Sequence, residues 1–293
     1  MQLLLFVAVC MIAFDRGMIA RADRYLSGRS VSPGYASQVR KRIDAFCEWC
    51  GADIEVESVN CELANEWLSA LEESGLGPWT IDGYRRALLA VWNDAYQSGD
   101  NENPPLRLRT VRKPRLIIEA YTHQEIKQLL AAAAKLKAEH KDNNRASDFW
   151  QAAIHVGYSC GARRGDVLDL DWKHVAPTGR LTFLQSKTQY THTVKLSTEA
   201  IKLARKLKTL GKVLPWPYEK NWFGVCFSRL RKSAGVHRGS FKWLRRSAGS
   251  YADREQPGSG ARLLGHRDER MFRRHYEDKE ITGENPPEPP PLV

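Results

Sequence analysis

Apolar side chains recur every three or four residues through most of this chain, the spacing of one helix face rather than the alternation of a strand. In "SPGYASQVRKRIDAFCEWCG", Tyr35, Val39, Ile43 and Phe46 share a face. Ser32 and Pro33 suit the N-cap and first turn, and Gly51 supplies the stop. "NCELANEWLSALEESGLG" repeats the pattern with Leu63, Trp67, Leu68 and Leu71. "PWTIDGYRRALLAVWNDAYQSGD" gives a third helix, with Thr80 as its expected cap and Ile81, Tyr84, Leu88, Val91, Trp92 and Tyr96 on the apolar side. The stretch Ser32–Ser98 therefore predicts a small helical domain.

"NENPPLRLRTVRKPRL" (Asn101–Leu116) interrupts the period with prolines and a run of basic residues, which is linker chemistry. Such a segment could follow a phosphate backbone or simply lie in solvent. Beyond it, "YTHQEIKQLLAAAAKLKAEH" opens a helix with Thr122 and Glu125 in capping-box register. "SDFWQAAIHVGYSCG" predicts another helix, ending near Gly161. Only "RLTFLQSKTQYTHTVKLS" alternates like strand, and it predicts a β-hairpin over Arg180–Gln185 and Thr191–Leu196. "STEAIKLARKLKTLG", "NWFGVCFSRLRKSAG", "FKWLRRSAGSYAD" and "DERMFRRHYED" return to helical spacing. The fold class expected is mainly α with one small β-hairpin.

Length and charge narrow the possible partners. The 293 residues suffice for two domains, and the net charge of +11 favours a polyanion, nucleic acid ahead of an anionic membrane surface. A membrane-surface protein would array its basic residues along one amphipathic face. Here they fall at helix junctions and a hairpin tip. Six cysteines are scattered; "FCEWC" holds a C-x-x-C, but no second pair matches it, so Cys47 and Cys50 read as helix residues of a reduced, intracellular protein. The apolar run Leu3–Phe14 is short for a membrane span and lacks the basic flank of a signal peptide. It reads as a packed N-terminal helix, or as residues preceding a true start at Met11 or Met18. The tail "NPPEPPPLV" is proline-rich and is expected to be disordered.

Four segments of the second half carry candidate chemistry. In "SCGARRGDVLDLDW", Arg163 falls at a helix junction, where a guanidinium fork can be held rigidly for bidentate contact with phosphate oxygens, and Asp166 lies one turn on. In "QSKTQY", the hairpin tip can aim Lys187 into a cleft. In "FKWLRRSAGSY", Lys242 and Arg245 share a helix face, an arrangement that an intervening anion would stabilise. In "LLGHRDERMFRRHYEDKE", Phe272 and Tyr276 are i, i+4 neighbours, and Phe272 would anchor the face from which Tyr276 projects. The span Lys242–Tyr276 holds nine Lys/Arg against four Asp/Glu, a field that lowers a phenol's pKa and favours the phenolate nucleophile.

Taken in order, "CGARRGD", "SKT", "KWLR" and "LLGHRDERMFRRHY" resemble the tyrosine recombinase (phage integrase) family over roughly Thr122–Glu280. The helical region Ser32–Ser98 is similar, in pattern only, to the SAM-like core-binding domain that precedes that catalytic domain. The resemblance implies an apolar N-terminal segment (1–24), a core-binding domain (25–103), a basic linker (104–118), an α+β catalytic domain (119–282) and a tail (283–293). It also implies Tyr276 as a nucleophile that forms a 3′-phosphotyrosine bond. Arg163 and Arg245 would hold the scissile phosphate, and Lys187 would protonate the leaving 5′-oxygen. His266 would hydrogen-bond the phosphate or assist Tyr276, and Asp166 would buttress Arg163. Lys242 stands where the family usually has His; it is assigned electrostatic stabilisation, because a lysine accepts no proton near neutral pH unless its pKa falls. Arg246, where a second His is common, and the glycine-rich "PGSGARLLGH" are further departures.

The activity implied is site-specific cutting and rejoining of double-stranded DNA, by four protomers on two sites, with no metal, ATP or other cofactor, in the bacterial cytoplasm. The two domains are expected to close on the duplex as a C-shaped clamp. The chemistry agrees, since a diester transfer needs charge neutralisation, a nucleophile and a proton for the leaving oxygen. Two rivals remain open. A metal-dependent nuclease needs converging carboxylates that the sequence does not show, and a degenerate recombinase would bind DNA without exchanging strands.

Overall fold

The computed structural model describes residues 16–105, 107–114 and 116–283. The expectations for Leu3–Phe14 and for the proline-rich tail after Gly283 lie outside these residues. The chain divides into two compact units, Met1–Arg115 and Leu116–Val293.

The first unit is built on helices α1 (Met18–Ser27), α2 (Pro33–Cys50), α3 (Cys61–Glu73) and α4 (Pro78–Gln97). Helix α2 starts and stops where its sequence signals stand: Ser32 Oγ accepts from the Tyr35 amide, and Gly51 closes the helix in the left-handed conformation. Val39, Ile43, Phe46, Trp67, Leu68, Leu88, Val91 and Trp92 are all buried in one core, as their spacing requires. Tyr35 and Tyr96 lie at the edges of their apolar faces and are exposed.

Three details differ from the sequence reading. Helix α4 begins one turn before Thr80, capped at Gly77 with Pro78 in the first turn; proline's fixed φ suits that position and outweighs the threonine signal. Met18 and Ala22 of α1 are buried in the same core, so a domain start at residue 25 would cut a helix. Arg21 of this helix is buried and paired with Asp94 and Asp100 at the end of α4. The third difference is the basic segment, which is not simply solvated. Leu108 enters the core, Arg109 donates to Leu68 O and to Glu72, and Lys113 pairs with the buried Asp82. Arg109 and Lys113 are thus neutralised by carboxylates of their own unit.

The second unit packs α5 (His123–Ala134), α6 (Ala146–Cys160), α7 (Arg164–Asp169), α8 (Thr198–Ala204), α9 (Lys220–Ser233) and the start of α10 (Lys242–Glu255) around one hydrophobic core, followed by α11 (Ser259–Leu263), α12 (Glu269–His275) and α13 (Lys279–Thr282). The capping box at Thr122 and Glu125 forms. Strands β1 (Arg180–Leu184) and β2 (Thr191–Lys195) pair antiparallel, Arg180 against Lys195 and Leu184 against Thr191, each one residue shorter than expected. Phe149, Trp150, Phe223, Phe227 and Phe241 form the centre, where Phe241 meets Phe223 edge-on at 4.9 Å and so anchors the start of α10. Ser247 accepts from the Tyr121 amide and donates to its carbonyl, tying α10 to the segment entering this unit.

A small satellite core of Ala261, Leu264, Phe272 and Tyr276 holds α12 in place. Helices α10 and α11 approach closely here because Gly260 has no side chain; a Cβ at this position would lie 2.5 Å from Gly249 O and 2.6 Å from the Phe272 ring. Within the glycine-rich departure in the sequence, Gly260 is therefore a packing requirement. Phe272 is fully buried. Truncation to Ala is expected to cost about 3–5 kcal/mol, measured as a fall in the thermal unfolding midpoint of the full chain; an unchanged midpoint would remove Phe272 from the core.

Candidate active site

Five of the seven residues singled out above converge, from the α6–α7 junction, the start of α10, the loop after α11 and the end of α12. Helix α6 ends at Gly161, and α7 starts only at Arg164, leaving Arg163 as the extended N-cap residue between them. Arg245 lies one turn into α10 and is 2% exposed. Its guanidinium donates to Gly161 O, to Leu264 O at 2.8 Å and to His266 Nε2 at 3.0 Å. Tyr276 is the C-cap residue just beyond α12, not a residue of the helix. Its amide still donates to Phe272 O, so Phe272 anchors it as expected, though from the helix end. Beyond the tyrosine, Ser250 Oγ donates to Tyr276 O and accepts from the Asp278 amide, while the Asp278 carboxylate accepts from the Ala120 amide.

Around the phenol the side chains are close. The Tyr276 ring centroid lies 4.7 Å from the His266 ring, 4.9 Å from the Arg245 guanidinium carbon and 5.3 Å from Lys242 Nζ. Burial, the largest single influence, raises the phenol's pKa, but Arg245, Lys242 and Arg163 together outweigh it and hold the net value below that of an ordinary tyrosine. The Lys242 ammonium is itself pushed down, first by burial and then by Arg246, Arg245 and Lys187, with Tyr276 opposing. Arg246 donates to Glu119 O, and its charge also bears on Tyr276 and Lys242.

The tautomer of His266 follows from its partner. An arginine only donates, so Nε2 accepts and the ring proton sits on Nδ1. The ring stays neutral, its pKa pushed down to about 4 by burial and then by Arg245 and Arg163. Nδ1 is buried with no hydrogen-bond partner among the described residues, which leaves its N–H to offer.

Lys187 sits exposed on the hairpin turn, near enough for its charge to depress the pKa values of Lys242 and His275. Asp166 is buried and pairs with Arg163 Nη1 at 3.8 Å. Its closer bonds are to the Ser186 amide at 3.0 Å and the Ser186 hydroxyl at 2.5 Å, so it grips the hairpin tip beside Lys187.

Gln185, Ser186, His192 and the Ser250–Asp278 pair were not picked out from the sequence. Gln185 Oε1 accepts from Arg163 and Thr188, while its amide donates to Leu264 O. His192 bonds Leu263 O at 2.9 Å. The loop they hold turns at Gly265, with φ 67°, where a Cβ would lie 2.6 Å from Gln185 Nε2. Polar residues in or beside a short hairpin read as solvated, and only the long-range partners give them a role. Among the described residues, no group of three or more His, Cys, Asp or Glu is placed to hold a metal ion. No helix among them is long and apolar enough to cross a membrane.

The second unit, with Arg245 buried, Arg163 partly exposed and Tyr276 just beyond α12, matches known proteins in sequence pattern and in fold. The phage integrase family model matches residues 119–281, and the chain belongs to that family. No curated protein matches the chain. Among solved structures, the fold is similar to that of a lambda integrase dimer bound to a COC′ core site, with TM-score 0.74 and 18% identity over 92% of this chain and 97% of that one. It is similar also to the Tn1549 transposon integrase in complex with circular intermediate DNA, with TM-score 0.64 and 14% identity over 92% and 99%. A third is the XerH site-specific recombinase bound to a palindromic difH substrate, with TM-score 0.65 and 16% identity over 85% and 76%. At these identities the likeness is one of fold.

Proposed function

We propose that this protein is an active site-specific DNA recombinase that breaks and rejoins double-stranded DNA through a covalent 3′-phosphotyrosine intermediate. The observation that carries this reading is the placement of Tyr276 against Arg245, Lys242 and His266, with Arg163 and the Lys187 hairpin alongside. In the forward step Tyr276 Oη, its proton released to solvent, attacks phosphorus. The P–Oη bond forms, the P–O5′ bond breaks, and Lys187 supplies the proton that the departing 5′-oxygen takes up. Arg163 and Arg245 neutralise the non-bridging oxygens, which gather charge in the transition state. His266, fixed as a neutral ring, offers its Nδ1–H. Lys242 adds positive charge beside the phenol. Rejoining reverses each transfer, and the phosphotyrosine bond conserves the energy of the broken diester, so neither ATP nor metal is consumed.

The excess of 45 Lys and Arg over 34 Asp and Glu supports a DNA partner held largely by its phosphates. A homotetramer on two DNA sites fits the same reading; one similar structure is a lambda integrase tetramer bound to a Holliday junction.

The test uses nicked suicide duplexes made from DNA flanking the protein's own gene. A covalent protein–DNA adduct should survive denaturing electrophoresis and form equally in EDTA. DNA binding with no adduct on any such duplex would leave a DNA-binding protein that does not exchange strands. The tyrosine environment also sets the pH response. Because Tyr276 titrates below an ordinary tyrosine, the adduct-forming rate should rise with pH and level off at a lower pH than an unperturbed tyrosine would give. Lys242→Gln removes one of the cations responsible, so the climb should move to higher pH; an identical profile in this variant would exclude Lys242 from the field at the phenol.

A further inference from the structure

One polar side chain near the site makes three long-range or turn bonds and is left unused by the mechanism above. Gln185 closes the first strand of the hairpin and is 1% exposed. Its Oε1 accepts from Arg163 Nη1 at 3.2 Å and from Thr188 Oγ1 at 2.9 Å, and its Nε2 donates to Leu264 O at 3.3 Å. The orientation of the amide is forced, because arginine can only donate and a carbonyl can only accept. Leu264 O is also the acceptor of Arg245 Nη2. One planar amide thus stands between the two arginines, linked to Arg163 directly and to Arg245 through a shared carbonyl.

We infer that Gln185 is a positioning residue that sets the Arg163 guanidinium against the scissile phosphate, in register with Arg245 and the Lys187 hairpin. The inference rests on the recombinase reading proposed above. The chemistry needed at this point is an acceptor on one side and a donor on the other, in one small group without charge. Glutamine provides both. A carboxylate here would compete with the phosphate for Arg163, and an apolar side chain would leave Arg163 only the contact to Asp166 at 3.8 Å. A purely structural account would make Gln185 a latch for the loop bearing Gly265 and His266. That loop has a second latch in His192, which bonds Leu263 O from the other strand. Holding the loop therefore does not require Gln185, whereas the bond to Arg163 does.

The experiment compares cleavage by the full chain on suicide duplexes carrying either a normal scissile phosphate or a methylphosphonate, in which a neutral methyl replaces one charged oxygen. An arginine that neutralises that oxygen matters less once the charge is gone. Gln185→Met should slow single-turnover cleavage of the normal duplex about 10- to 100-fold, with DNA affinity within about threefold of wild type. Its deficit should shrink to within about threefold on the methylphosphonate, in parallel with Arg163→Ala, and the double variant should be no slower than Arg163→Ala alone. Gln185→Glu retains a polar partner for Arg163 and Thr188, so it covers the case in which the Met variant does not fold. It should be slowed at least as much, with the same relief on the methylphosphonate. His192→Phe loosens the loop without touching Arg163 and should show equal deficits on the two duplexes. Wild-type rates in either Gln185 variant would overturn the inference. So would equal deficits on both duplexes, or effects that multiply with those of Arg163→Ala. Absence of any adduct with the wild-type chain would instead overturn the recombinase reading, and this inference with it.

Discussion

Tyr276→Phe is expected to abolish the covalent protein–DNA adduct, lowering its rate of formation by at least about 10⁴-fold, the scale seen when a catalytic nucleophile is deleted. The change removes one oxygen and leaves the ring among His266, Arg245 and the satellite core of Ala261, Leu264 and Phe272. The apolar body of the side chain should stay seated, since the phenol oxygen is not what ties this segment down. That task falls to the Tyr276 amide on Phe272 O, to Ser250 on Tyr276 O, and to Asp278 on the Ala120 amide. DNA affinity should accordingly remain within about twofold, because it comes from phosphate contacts spread over many cations. Electrophoresis of the denatured reaction, with a gel-shift assay beside it, separates the two quantities. An adduct that persists in the Phe variant would assign the nucleophile to another residue.

The second large effect is expected at Arg245. Its guanidinium is engaged on Gly161 O, Leu264 O and His266 Nε2 at once, from a position 2% exposed. Arg245→Lys keeps a positive charge near the phenol but has no fork to span the carbonyls of Gly161 and Leu264 and the His266 ring. Cleavage should fall about 10²- to 10³-fold, the range for removing one preorganised donor from a developing oxyanion. The pH at which the rate levels off should move little, because the charge that lowers the Tyr276 pKa is retained. Arg245→Met removes that charge as well, so its rate should keep rising toward higher pH. Single-turnover rates across pH distinguish the two substitutions. If Lys and Met give the same profile, Arg245 does not set the phenol's ionisation.

Much of the helical framework was legible because its signals are local. Ser32, Pro33 and Gly51 bracket α2, and Thr122 with Glu125 opens α5, each through bonds reaching only a few residues along the chain. The hairpin was legible to within one residue at each strand because alternation and a polar turn suffice to specify it. Thr80 misled because two N-terminal signals, Pro78 and Thr80, stood two residues apart and the proline prevailed. The helix Met18–Ser27 was hard to see because it follows an apolar run that hides any single face. Tyr276 was placed on a helix that stops one residue earlier, since helical spacing alone does not mark where the last turn opens.

The sequence by itself determined the cast: a tyrosine, a neighbouring histidine, and arginines and lysines in an order that points to phosphate chemistry. Residue types and their order survive any folding and can be read without it. Only the tertiary structure decided how these groups act on one another. It gave Asp166, an ion-pair partner of Arg163, a second task as the anchor of Ser186 and the Lys187 turn. It fixed His266 as a neutral ring by burying it and by setting Arg245 against it. It placed Gln185, silent in the sequence, between Arg163 and the carbonyl that Arg245 also uses. Burial and direct hydrogen bonds act over a few ångströms. The residues they join here lie as far apart in the chain as Gly161 and Arg245, a separation of 84 positions that no local pattern can register.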